Sequence, residues 1–395
     1  MISRRKLLGG ATAAAAATGL TLAGGRAMGG LNAAGAAATT SSAAATTLGL
    51  RVVNNSGEFD DASVFLYILG EVDGQRVYAT PAGEAKPVTL ADNGADGFTD
   101  YAIPLSDIRG LNLPQMDGGR IYTALGGKLR LKAVRDGNGK ASLAYPAGWV
   151  ESDPNYPVLH DCVEFTFKES GMYCNTTAVD MFSVPLSITL QGNKEQTTGT
   201  LEPGGRGKAF AALAGGAFAD LVVEDRRIIA PGHGIDAGKF PADYLDAYID
   251  EVWDVYSSKD LTVTTGQGRF TGRVSGNTLG FTGPGQVTIE KPTTRDVVFC
   301  DGALAAPNDH LGGPVAAVIG AALNRTTLAA LDNQPTSDPS RFHQAKTPHE
   351  YVKVMHEINK DGKAYGFAFD DVAGHASYIE DSDPTGMTLT LEPMR

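Results

Sequence analysis

From Cys162 to Phe167 the chain alternates strictly: Val163, Phe165 and Phe167 are apolar, and Cys162, Glu164 and Thr166 stand between them. A period of two belongs to a strand with one buried face, which sends the apolar set to a core and Glu164 to the opposite side. A second β-patterned run follows, with Val179, Met181, Val184, Leu186, Ile188 and Leu190 as its apolar positions and Asp180 pointing away from its two apolar neighbours. Between the runs, KESGMYCNTT holds Gly171 and a polar cluster, the composition of a connection between antiparallel strands. The pattern demands a sheet. It also sets two acids, Glu164 and Asp180, where they can line one groove.

The rest of the chain extends this reading. With 49 Gly and 20 Pro in 395 residues, its punctuation favours many short strands. Runs such as LRVVNN, SVFLYILGEV, GGKLRLKAV and VEFTF, separated by turns such as Asp136-Gly137-Asn138-Gly139, predict a β-sandwich or barrel over residues 46–205. The DGNGK run lacks the downstream ligands of a calcium loop and reads as a hairpin turn. Helical periodicity comes later: Tyr244, Leu245, Tyr248, Ile249, Val252, Trp253 and Tyr256 share one face of a helix opened by Pro241. A second helix is predicted from Thr347, with Pro348 at its first position and Glu350 completing a capping box. DLTVTT, GRFTGRV, NTLGFTG and DVVFC between them read as strands, so residues 206–330 form a mixed α/β domain. Residues 331–395 contribute a helix and closing strands that return to the β domain. The fold class is thus mainly β with an α/β part.

At the other end, Ser3, Arg4, Arg5, Lys6, Leu7 and Leu8 precede a Gly/Ala/Leu stretch without acids, the pattern of a twin-arginine export signal. Residues 1–45 are read as this signal and a flexible leader, cut between about Ala23 and Ala45. The apolar part is too short and weak to span a bilayer. A net charge of −12 without a basic run argues against nucleic acid or an anionic membrane as partner, and is neutral towards an uncharged polymer. Three cysteines are too few for a disulfide scaffold, but Cys162 and Cys174, one at each end of the hairpin, are candidates for a bridge, with Cys300 a buried thiol. The seven histidines form no close ligand pair, and His349 and His356 alone do not make a zinc site. No metal or cofactor is expected.

Two carboxylates across a groove are what glycoside hydrolysis requires, because one protonates the leaving oxygen while the other activates water or attacks the anomeric carbon. Acids on the open face of a sheet are commonly only solvated charges, so more specific residues are needed. They are present. DPNY at Asp153–Tyr156, HDCVEFTF around Glu164, NTTAVD ending at Asp180, FSVPLSITL, YLDAYIDEVWDVY, KPTTRDVVFCDG, ALNRTTL and KAYGFAFDDVAG together resemble, in order, segments of glycoside hydrolase family 64. The resemblance spans roughly residues 48–395.

That resemblance implies a thaumatin-like β domain, an α/β domain, a groove between them, and endo-β-1,3-glucanase activity; some family members release laminaripentaose. It implies an inverting mechanism in which Glu164 is the general acid and Asp180, sixteen residues on, the general base. Inversion needs the two carboxyl groups roughly 6.5–9.5 Å apart so that a water fits. The resemblance further suggests Thr166, Tyr173, Asn175, Asp370 and Asp371 as glucan-binding residues, the last two on a closing strand. The expected partner is a β-1,3-glucan, bound by a monomer outside the cell without metal or cofactor. The competing reading is a thaumatin-like protein that binds β-glucan without cleaving it.

Overall fold

The computed structural model describes residues 47–108 and 110–395; the predicted export signal lies outside them. The alternating strand Thr47–Asn54 buries Leu48 and Leu50 and pairs in parallel with Gly386–Leu391, joining early and late parts of the chain. Gly386–Leu391 pairs antiparallel on its other edge with Leu186–Gln191, and Gln196–Thr198 and Leu111–Pro114 complete a five-stranded sheet. Facing it is an eight-stranded sheet, whose main path runs Tyr378–Asp381, Gly171–Thr176, Leu159–Lys168, Met116–Leu125, Val64–Val72, Gln75–Ala79 and Ala85–Pro87. The predicted alternation is met here: Val163, Phe165 and Phe167 enter the core between the sheets with Ile188, Leu190, Leu389 and Leu391. Asp136 accepts from the N–H groups of Asn138 and Lys140 at 2.8 and 2.9 Å and closes a tight hairpin, as its sequence suggests.

A second core gathers residues 178–372 around another five-stranded sheet, ordered Val287–Glu290, Thr278–Thr282, Gly268–Ser275, Leu261–Thr265 and Asn333–Gln334. The helix Asp246–Ser258 buries Tyr248, Ile249, Val252, Trp253 and Tyr256, the face that the periodicity marks, although it starts five residues after Pro241. Three local expectations change. DVVFC belongs to no strand: Thr293 and Asp296 form a capping box, and residues Thr294–Phe299 are helical despite their β-branched side chains. The helix predicted from Thr347 spans Glu350–Glu357 without a side-chain cap, because His349 is drawn inward to Asn324, 2.9 Å from its Oδ1. YGFAFDD forms turns instead of a closing strand, and the return to the first two sheets begins at Tyr378.

Candidate active site

Strand register determines what stands on the face of the eight-stranded sheet opposite its core. Glu164 lies opposite Asn175 on one side and Arg120 on the other, and Asn175 lies opposite Tyr378, so the four form a row across the sheet. Thr166 lies opposite Tyr173, which lies opposite Glu380, in the next row. Directly opposed residues point to the same face. Arg120 Nη2 stands 3.2 Å from Glu164 Oε1, and its Nη1 donates to the Tyr122 hydroxyl at 3.1 Å. The Glu164 side chain is 18% exposed, a carboxylate set into a wall yet open to a ligand.

Asp180 arrives differently from the expectation. The hairpin strand ends at Thr176, and Asp180 sits on a bend ahead of the short strand Met181–Phe182. That strand pairs with Ile228–Ile229, and Ala230 N–H donates to the Asp180 carbonyl at 3.0 Å. One turn later, in the helix Pro231–Asp236, His233 presents Nε2 to Asp180 Oδ1 at 2.9 Å. Glu164 and Asp180 nonetheless line one cleft, together with Arg120, Tyr122 and Trp149. The first core supplies one acid; a partner from the second fixes the other.

Buried polar groups brace this cleft. Asp161 Oδ1 and Oδ2 accept at 2.9 Å from the N–H groups of Cys162 and Ser183, tying the strand of Glu164 to the segment that follows Asp180. Burial pushes the Asp161 carboxyl up to about 7, against the opposing pull of these N–H groups and of Arg227. Arg227 is itself fully buried and donates to the carbonyls of Gly148 and Val158, holding the turn that carries Trp149. Gly148 leaves room for this contact, since a Cβ would meet Arg227 Nη1 at 2.2 Å and Met181 Sδ at 2.9 Å. Burial and the Arg227 charge together press His160 down to about 4, so it stands neutral beside the cleft.

Residues 46–391 match the family model of glycoside hydrolase 64, the β-1,3-glucanases. The chain belongs to that family. Family 64 relatives of known structure share its fold: a laminaripentaose-producing β-1,3-glucanase, solved in complex with laminaritetraose, is 35% identical, with 89% of this chain and 100% of that one covered and a TM-score of 0.81. A family 64 domain from Clostridium beijerinckii is 26% identical over 88% of this chain and 98% of its own, also with a TM-score of 0.81. A glucan endo-1,3-beta-glucosidase of Cellulosimicrobium cellulans is 34% identical over 365 residues, or 88% of this chain. The family 64 chain described here spans 65% of the length of that relative.

The other family-implied residues fare unequally in the geometry. Thr166 and Tyr173 stand half-buried beside the Glu164 row, and the Tyr173 hydroxyl donates to the Ser170 carbonyl at 3.3 Å. Asn175 is in the row but only 4% exposed. Asp370 takes a different place from the one expected: it is fully buried, 3.0 Å from Arg325 Nη2 and 2.9 Å from His356 Nε2. Burial opposes its charge, yet His356 and Arg325 outweigh this and hold the carboxyl below its ordinary value. Asp370 is therefore an internal anchor and offers no surface to a sugar. Asp371 heads the short 3-10 turn Val372–Gly374, not a strand. The Cys162–Cys174 bridge is also overturned, and all three cysteines are free thiols. Cys174 opposes Phe165 and faces the core, whereas Cys162 opposes Tyr122 on the Glu164 face.

Sequence reasoning missed Arg120, Trp149 and His233. Arg120 carried a signal, an arginine within the strand pattern GGRIYTAL, but only register pairs it with Glu164. For His233 the signal was the flanking Gly232 and Gly234 after Pro231. A Cβ on Gly232 would meet the Phe299 ring at 2.7 Å, and one on Gly234 would meet Leu221 at 2.3 Å, so the glycines let this turn pack tightly. Among the described residues, no cluster of three or more His, Cys, Asp or Glu is arranged to hold a metal ion.

Proposed function

We propose that this chain hydrolyses internal β-1,3-glucosidic bonds of glucan with inversion, Glu164 acting as general acid and Asp180 as general base. The observation that carries the reading is that both carboxylates open into one cleft from different segments, each with its own polar partner, Arg120 for one and His233 for the other. Glu164 would protonate the departing glycosidic oxygen while Asp180 takes a proton from the water attacking the opposite face of the sugar. The structural relative bound to laminaritetraose supports a β-1,3-linked glucan chain as the ligand, lying along the Glu164 and Thr166 rows. Trp149, partly exposed in the same cleft, offers an apolar platform for a pyranose ring. We also propose twin-arginine export, on the strength of Ser3-Arg4-Arg5-Lys6 and the acid-free stretch after it.

The test is to incubate the protein with linear β-1,3-glucan and follow new reducing ends by NMR. Initial α-anomers are expected. Initial β-anomers would refute inversion, and retention of the glucan on the protein without any products would establish the binding-protein reading instead.

A further inference from the structure

We propose that His233 is the positioning residue of Asp180, and that Trp149, stacked on its ring, and Phe299, set edge-on to it, hold its imidazole in one orientation. The inference rests on the glucanase reading above, and it begins with the backbone. Asp180 lies past the end of the hairpin, on a bend, where no long strand dictates the direction of its side chain. Two contacts replace that support, and both come from one short segment. Ala230 N–H donates to the Asp180 carbonyl at 3.0 Å, and His233, three residues on, meets Oδ1 at 2.9 Å.

Two aromatic rings confine the imidazole. Trp149 stacks on it with centroids 4.3 Å apart and planes 19° from parallel, and Phe299 meets it edge-on at 5.4 Å and 80°. Only 6% of the residue is exposed. The neighbouring glycines admit Phe299 and Leu221 at distances that any side chain would forbid, which removes slack from the turn. Because an ionised carboxylate only accepts, the Nε2 facing Asp180 carries the proton whether the ring is neutral or charged. A base that must align one oxygen with an incoming water gains from such a clamp, since a small misplacement costs a large factor in rate. Losing a hydrogen-bond donor disfavours the ionised form of any carboxylate; besides His233, the charged or titratable groups that line the cleft with Asp180 include Glu164 and Arg120.

Two variants separate positioning from bulk structure. His233→Leu keeps volume but donates nothing; His233→Gln keeps an N–H at a similar reach. For His233→Leu we expect kcat on laminarin to fall about 10–100-fold, the scale of loss from a small misplacement of a catalytic group, with KM changed less than about twofold. The acid limb of the kcat/KM profile should move to higher pH in His233→Leu, and His233→Gln should restore most of both effects. Thermal melts report folding separately. A folded His233→Leu with wild-type kcat and an unmoved acid limb overturns the proposal, as does a kcat loss equal in both variants with no movement of the limb. Should the wild-type protein release no products from glucan, the glucanase reading itself fails, a result distinct from either variant outcome.

Discussion

Glu164 and Asp180 differ in what surrounds them more than in what they are. Arg120 stands beside Glu164 as a fixed cation within the sheet, while Asp180 leans on an imidazole held between rings. Substituting Glu164→Gln should lower kcat on linear glucan by at least about 100-fold while leaving glucan retention in a pull-down nearly intact, since the side chain keeps its shape but can no longer donate the proton. Retained turnover would withdraw Glu164 as the acid. A second residue-scale prediction concerns His349, which is 1% exposed and pressed by burial down to about 3. The folded protein keeps this ring neutral, whereas the unfolded chain takes up its proton below about 6.5. The ring's contribution therefore favours folding above that pH and is lost as pH falls from 6.5 towards 3. The stability gap between wild type and His349→Leu should narrow on acidification by up to about 1.4 kcal/mol per pH unit, and a pH-independent gap in urea titrations would contradict this.

At the scale of elements, the hairpin of Leu159–Lys168 and Gly171–Thr176 shows how register governs chemistry. Its alternation was legible from residues alone, and so was the face of Glu164. The partners on that face were not, because they depend on which strand lies alongside and in what register. A shift of one residue would have brought Cys162 and Cys174 to a common face; the observed register separates them. Alkylation of the denatured, non-reduced protein should accordingly count three free thiols, and a count of one would mean that a bridge forms against this register. Helix Thr294–Phe299 carries a similar lesson. Val297, Val298 and Phe299 read as strand by propensity, but Thr293 and Asp296 satisfy the first backbone donors of a helix and decide the outcome.

For the whole molecule, the decisive feature is that Gly386–Leu391 lies inside the five-stranded sheet, between Leu186–Gln191 and Thr47–Asn54. Met387, Leu389 and Leu391 are all essentially buried there. The second core is thus an excursion between strands of the first, and the late strand completes the sheet. Truncation after Asp381 should leave two strands without their central neighbour and an apolar face open. The expected result is insoluble or unfolded protein by circular dichroism; a folded, active truncation would contradict this account.

What the sequence determined by itself is whatever depends on local order: the period-two strand that turns Glu164 outward, the Asp136 turn, and the apolar face of the helix Asp246–Ser258. Each follows from backbone geometry or turn chemistry acting over a few residues. What only the tertiary structure decided is whatever joins distant segments: Arg120 beside Glu164, His233 on Asp180, Asp370 drawn inside to Arg325 and His356, and two cysteines set on opposite faces. Those placements depend on which strand pairs with which and on how two cores meet, and spacing along a chain carries no record of either.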